Sequence, residues 1–195
     1  MPGSIDLAAT IARAREGNPQ AIHELYEVYA EPVRRYCYVR LGDLEATQDC
    51  VQEVFVSVWR GVKKFEYRGE VSFTAWLYTI ANNAVVSYIR KRNRTQHVSL
   101  TLELNLTDPQ TFDTARTVCD RLAIREAIEQ LTYEQQQVII LKFFVGLSNL
   151  EIAGILGRSE GAVKALQHRA IHRLHQLLSP TRAGLFVELG LGEAR

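Results

Sequence analysis

In one stretch of this chain the apolar residues alternate strictly, at Val98, Leu100, Leu102, Leu104 and Leu106. On either side of it they recur at spacings of three and four, the period of a helix. Period two is the mark of a strand, but a lone strand has nothing to pair with. The stretch, which has few charges and includes Asp108-Pro109, therefore reads as an extended linker. The expected fold class is all-α: two small helical domains joined by a flexible linker, the C-terminal one containing a helix-turn-helix. The expected bounds are 1–95 and 119–179, with the linker at 96–118 and a short tail at 180–195, whose sequence "TRAGLFVELGLGEAR" suggests no role.

In the first block, residues 5–16 predict a short helix stopped by Gly17-Asn18-Pro19. Residues 21–41 predict a second, carrying Ile22, Leu25, Tyr26, Tyr29, Val33 and Tyr36 toward a core, with a possible bend at Pro32. After the turn Gly42-Asp43, residues 45–63 predict a third. Its Val51, Val54, Phe55, Val58 and Val62 point inward, and Asp49, Gln52, Glu53, Val56 and Arg60 outward. Residues 65–71, "FEYRGEV", predict a loop, and residues 72–94 a fourth helix.

That fourth helix carries aromatics (Phe73, Trp76, Tyr78, Tyr88), the amides Asn82 and Asn83, and a basic end at Arg90, Lys91, Arg92 and Arg94. Aromatics that stack on unpaired bases, amides that read base edges and cations on phosphates are what a single-strand reader requires. At their spacing, Phe73, Trp76 and Leu77 read as core; Phe65 and Tyr67, in the loop, are freer to meet DNA.

In the second block helices resume near Cys119, with Leu122, Ile124, Ile128 and Leu131, then Val138, Leu141 and Phe144. The segment "LEIAGILGRSEGAVKALQHRA" follows. Leu150, Ile152, Ala153 and Leu156 form an apolar stripe ended by Gly157, a C-terminal cap residue. Ser159 is placed to N-cap the next helix. There Val163, Leu166, Ala170 and Leu174 share one face, while Lys164, His168, His172 and His175 lie opposite. Ala153, Gly157 and Val163 supply the close crossing, tight turn and inter-helix plug of a helix-turn-helix. Its second helix enters the DNA major groove. The plainer alternative is a helical hairpin with a solvated basic face. Against it stand Arg158, Lys164, Arg169 and Arg173, since Glu160 is the only acid between residues 158 and 173.

The overall charge of the chain is +1, too small for a general polyanion binder, so any nucleic-acid contact must come from local patches. A content of 47% hydrophobic and 23% charged residues is that of a soluble globular protein. The cysteines Cys37, Cys50 and Cys119 lack paired metal spacing and fit a reducing compartment. Neither a signal peptide nor a span of about 20 apolar residues is seen, so a cytoplasmic location without membrane insertion is expected.

Taken in order, "DCVQEVFVSVWRGVKKF", "SFTAWLYTIANNAVVSYIRKR" and, past the linker, "LSNLEIAGILGRSEGAVKALQHRA" resemble a bacterial RNA polymerase sigma factor of the extracytoplasmic-function (ECF) group. The resemblance covers roughly residues 20–95 and 120–178. It implies a factor that performs no chemistry itself, with no catalytic residue, cofactor or metal. Such a factor binds core polymerase and directs promoter-specific initiation by reading the −35 and −10 elements and assisting DNA melting. Implied partners are the clamp helices and flap of the large polymerase subunit, promoter DNA and an anti-sigma factor. The family's Asp-x-x-Gln-Glu signature falls on Asp49, Gln52 and Glu53, which implies clamp binding. The implied −10 contacts are Phe65, Tyr67, Asn82, Asn83, Arg90, Lys91 and Arg94. The implied −35 contacts are Arg158, Ser159, Lys164, Ala165, His168 and Arg169. The family often has serine and arginine where this chain has Ala165 and Leu166, which bears on the −35 bases preferred.

Two readings from other classes compete. A stand-alone helix-turn-helix regulator would leave Asp49, Gln52, Glu53 and the aromatic fourth helix without a role. An enzyme could be built on His168, His172 and His175, which share a helix face and could ligate a metal. No nearby acid completes such a site, and the same face is the one expected to meet DNA.

Overall fold

A computed structural model describes residues 5–95 and 123–178. The chain divides into two compact units, Met1–Asn105 and Leu106–Arg195, and every described element is helical. The expected linker, the tail, Cys119 and Leu122 lie outside the described residues. Among those residues no helix is long and apolar enough to cross a membrane.

Unit one is built from four helices, each bounded by its own local chemistry. Helix α1 (Leu7–Arg15) begins where the Asp6 carboxylate accepts from the Ala9 amide at 3.1 Å. Asn18 starts α2 (Pro19–Leu41) by accepting from the amides of Gln20 and Ala21, with Pro19 in the first turn, where its missing N–H costs nothing. Pro32 lies inside α2 without ending it. Gly42, in the left-handed region at φ 66°, closes α2, and Asp43 caps α3 (Leu44–Val62) through the Ala46 amide at 2.7 Å. Helix α4 (Glu70–Thr95) follows a loop.

Helix α4 starts at Glu70, two residues before the expected Ser72, so the loop narrows to 65–69. Ser72 is drawn into the first turn because its hydroxyl donates to the Gly69 carbonyl at 2.7 Å and accepts from the Arg68 amide at 3.0 Å.

The core lies between α2, α3 and α4, with α1 closing one side against α2 and α3. The inward residues expected of α3 are all buried, and on α4 Phe73, Leu77, Tyr78, Ala81 and Val85 join them. Fully burying a side chain of the Phe or Leu class contributes about 1.5–3 kcal/mol, so this three-helix seam dominates the unit's stability. Of the residues expected inward on α2, Leu25, Val33 and Tyr36 are buried. Tyr26 is instead 43% exposed, its ring edge-on to Phe55 at 4.8 Å.

Unit two runs through α5 (residues 123–129), α6 (Tyr133–Ile139), a π-helical segment (Ile140–Val145), α7 (Asn149–Leu156) and α8 (Glu160–Leu177). Reciprocal capping boxes begin α6, from Thr132 and Gln135, and α7, from Ser148 and Glu151. Gly146 at φ 90° and Gly157 at φ 61° make the two sharp turns, and Ser159 caps α8 by accepting from the Ala162 amide at 3.2 Å. Helices α6 and α7 both pack on α8 around Val138, Ile152, Ala153, Val163, Ala170 and Leu174. Leu150 does not join the stripe assigned to it. It is 59% exposed, and the buried residues of α7 are Ile152 and Ala153.

Candidate nucleic-acid and polymerase interfaces

Asp49, Gln52 and Glu53 are all exposed on the outer side of α3, opposite Val51, Val54 and Val58. Asp49 and Glu53 form one wall of a groove of about 550 Å³. Across it stand Asn83, Ser87, Tyr88 and Lys91 of α4, with Cys50 and Ser57 also lining it. Two sets of residues that the sequence assigned to separate partners thus share one concavity. Burial, and then the negative charges of Asp43, Asp49 and Glu45, hold the Tyr88 phenol above its ordinary pKa, with Arg92 opposing.

The adjacent asparagines of α4 differ in surroundings. Asn82 is half-buried, and its side-chain oxygen accepts from the Tyr36 hydroxyl at 3.2 Å and faces the Arg40 guanidinium at 3.5 Å. Asn83 is exposed. Arg90 and Lys91 are also exposed, while the side chain of Arg94 lies outside the described residues.

Phe65 is less free than a loop position suggested. Its ring stacks on Trp76 at 4.6 Å and meets Phe73 edge-on at 5.8 Å. The sequence pointed to the loop aromatics but missed Gly61, whose lack of a side chain lets the Trp76 indole lie against α3. Gly61, Lys64, Phe65, Glu66, Arg68 and Trp76 line a second hollow of about 420 Å³. Tyr67 is half-buried, and an exposed Arg68–Glu66 pair at 2.7 Å borders it.

In unit two, Lys164, Ala165, His168 and Arg169 all lie exposed on α8, while Val163, Leu166, Ala170, Ile171 and Leu174 are buried beneath them. Leu166, at a position where the family often has arginine, is thus a core residue in this chain. Arg158 and Ser159 are exposed at the turn that starts α8. Unpaired amides and the helix dipole favour an anion there. Two of the cations are already engaged: Arg158 donates to Glu134 of α6 at 2.5 Å, and Lys164 pairs with Glu160 at 2.8 Å. The hydrogen bond from Arg158 to Glu134 raises the guanidinium pKa further above its ordinary value. Among the described residues no group of three or more His, Cys, Asp or Glu side chains is placed to hold a metal ion, His168, His172 and His175 included.

The arrangement has known counterparts. Residues 25–95 match the family model for sigma-70 region 2, and residues 121–181 that for sigma-70 region 4. The ECF RNA polymerase sigma factor SigL of Mycobacterium tuberculosis (strain ATCC 25618 / H37Rv) is 30% identical over 172 residues, covering 87% of this chain and 96% of SigL. This chain belongs to the ECF sigma factors. The ECF RNA polymerase sigma factor BldN of Streptomyces coelicolor is 34% identical over 170 residues, 86% of this chain. The match spans 64% of BldN, under two thirds of that relative's length. The structure of CnrH in complex with the cytosolic domain of CnrY shares the fold, with a TM-score of 0.67 at 24% identity, over 87% of this chain and 94% of CnrH. Within this ECF sigma factor, region 2 takes in most of α2 and all of α3 and α4, and region 4 takes in α5 to α8.

Proposed function

We propose that this chain is a promoter-specificity subunit of bacterial RNA polymerase, acting in the cytoplasm. Unit one binds the core enzyme and the −10 element, and unit two reads the −35 element. The observation that carries the reading is the pairing, in one chain, of the exposed Asp49, Gln52 and Glu53 stripe with a helix-turn-helix whose second helix presents Lys164, His168 and Arg169 outward. A stand-alone regulator would have no use for the first of these.

On this reading Asp49, Gln52 and Glu53 meet the clamp helices of the large subunit, and unit two meets the flap. Phe65, Tyr67 and Asn83 hold the unpaired −10 strand while Arg90, Lys91 and Arg94 engage its phosphates. Asn82, whose oxygen accepts from Tyr36 and Arg40, stands beside Asn83 on α4 and belongs to the same −10 surface. Arg158, Lys164, Ala165, His168 and Arg169 meet the −35 duplex, with Ser159 fixing the helix start. Phosphate contacts set position and base contacts set sequence. An unpaired base captured by the loop offsets part of its unstacking cost, a few kcal/mol. The chain supplies no catalytic group; bond formation belongs to the core enzyme. An anti-sigma factor is the expected antagonist, in keeping with the complexes in which related folds are found.

The test is reconstitution. Core polymerase with this chain should start transcription at a defined set of promoters that core alone ignores, and the chain should co-purify with core. Specific binding to DNA without any association with core would instead establish the regulator.

A further inference from the structure

Cys37 of α2 and Cys50 of α3 face each other across the core of unit one, sulfur to sulfur at 3.7 Å, both as free thiols. Cys37 is fully buried and Cys50 is 3% exposed. The two are not equivalent. Cys50 lines the open groove between α3 and α4, next to Asp49 and one turn from Glu53. Cys37 lies behind it and donates its S–H to the Cys50 sulfur. A small oxidant entering the groove therefore meets Cys50 first, with a second thiol already in contact.

We propose that Cys37 and Cys50 form a peroxide-sensitive dithiol whose oxidation to a disulfide between α2 and α3 resets the polymerase-facing side of α3. The chemistry balances with a hydroperoxide as the two-electron oxidant. The Cys50 sulfur attacks one peroxide oxygen, the O–O bond breaks, and Cys50 becomes a sulfenic acid as water or an alcohol departs. The Cys37 sulfur then attacks the Cys50 sulfur, forming the S–S bond and expelling the hydroxyl as water with the Cys37 proton.

Geometry favours this outcome. A disulfide needs about 2.05 Å between sulfurs, so the pair must close by less than the width of an atom. The hydrogen bond from Cys37 also stabilises negative charge on Cys50. It lowers the pKa of that thiol and, together with burial, raises that of Cys37. Cores that cannot deform smoothly pass such a closure on as a helix shift. The element that shifts carries Asp49, Gln52 and Glu53. The regulatory half of the proposal rests on the functional reading above; the dithiol itself does not.

The experiment uses the full chain carrying Cys119→Ser, so that no third thiol competes, treated with hydrogen peroxide. Intact mass should fall by two hydrogens, and digestion should yield one cross-linked peptide joining Cys37 and Cys50. Capture by core polymerase should weaken severalfold and recover in dithiothreitol. With Cys37→Ala added, dimedone should label Cys50 in place of the bond. Added oxygen without loss of hydrogen, or no change at all, overturns the dithiol. A disulfide that leaves core capture unaltered overturns the regulatory consequence. A reduced chain that never binds core overturns the functional reading, and the mass measurement, which needs no polymerase, still decides the dithiol.

Discussion

Gly61 of α3 lies against the indole of Trp76 of α4 so closely that a β-carbon at position 61 would stand 2.9 Å from the ring. The same indole carries Phe65 of the loop stacked on it. Gly61→Ala would gain helix propensity of about 1 kcal/mol and meet an overpacking cost of about 1–3 kcal/mol. The expected outcome is a small net loss of stability with Trp76 displaced. A shift in tryptophan emission together with impaired open-complex formation, but retained core binding, would report it. An unchanged spectrum and full melting activity would show that the indole moves aside freely.

The loop aromatics should separate. Phe65→Ala removes ring contacts with Trp76 and Phe73, each worth about 0.5–1.5 kcal/mol beyond burial. It should lower the thermal midpoint of unit one as well as reduce strand opening. Tyr67→Ala should leave the melt nearly unchanged and still reduce permanganate reactivity at the −10 thymines. A pre-melted template should restore much of the activity of both variants. Equal stability losses in the two would mean that Tyr67 also serves the core.

Charge reversal of Asp49 and Glu53 to lysine touches exposed positions, where substitutions usually move stability by only about 0.5 kcal/mol. At the proposed clamp interface it would set like charges together, at a cost of several kcal/mol. A pull-down with purified core enzyme should show capture falling by orders of magnitude while a circular dichroism melt stays in place. Normal capture by the folded double variant would reduce the stripe to solvated surface.

On α8, Lys164→Ala removes an exposed ion pair with Glu160, worth at most about 1 kcal/mol to the fold, and Arg169→Ala removes an exposed cation. Where the deleted side chain reads a base, promoter affinity should drop by about 1–3 kcal/mol, with preference relaxed at that one position. Binding and transcription measured across single-base −35 variants would locate it. Intact transcription with both alanines present would remove α8 as the reader.

The helix-turn-helix was legible in advance because its signals are local. Gly157 supplies a left-handed cap, Ser159 a side-chain acceptor, and Val163, Leu166, Ala170 and Leu174 a helical face, all within one short stretch. The capping pairs Thr132 with Gln135 and Ser148 with Glu151 were equally local and could have been read. What escaped were relations between helices. That Asp49 and Glu53 share a groove with Asn83 and Lys91, that Phe65 is pinned by Trp76, and that Cys37 meets Cys50 all depend on packing rather than spacing. Leu150 misled for the opposite reason, since a helical period marks a face without saying how far the core beneath it extends.

The ion pairs of unit two change how its affinity for DNA should be counted. A free cation that meets a phosphate releases roughly one condensed counterion, and the slope of affinity against ionic strength counts such events. Arg158 and Lys164 already hold Glu134 and Glu160. When either cation reaches for a phosphate it gives up a carboxylate of its own chain, which must then find salt cations from solution. Part of the counterion release is returned, so titration against potassium chloride should undercount the basic residues at the −35 duplex. Glu134→Gln and Glu160→Gln would each restore the missing increment.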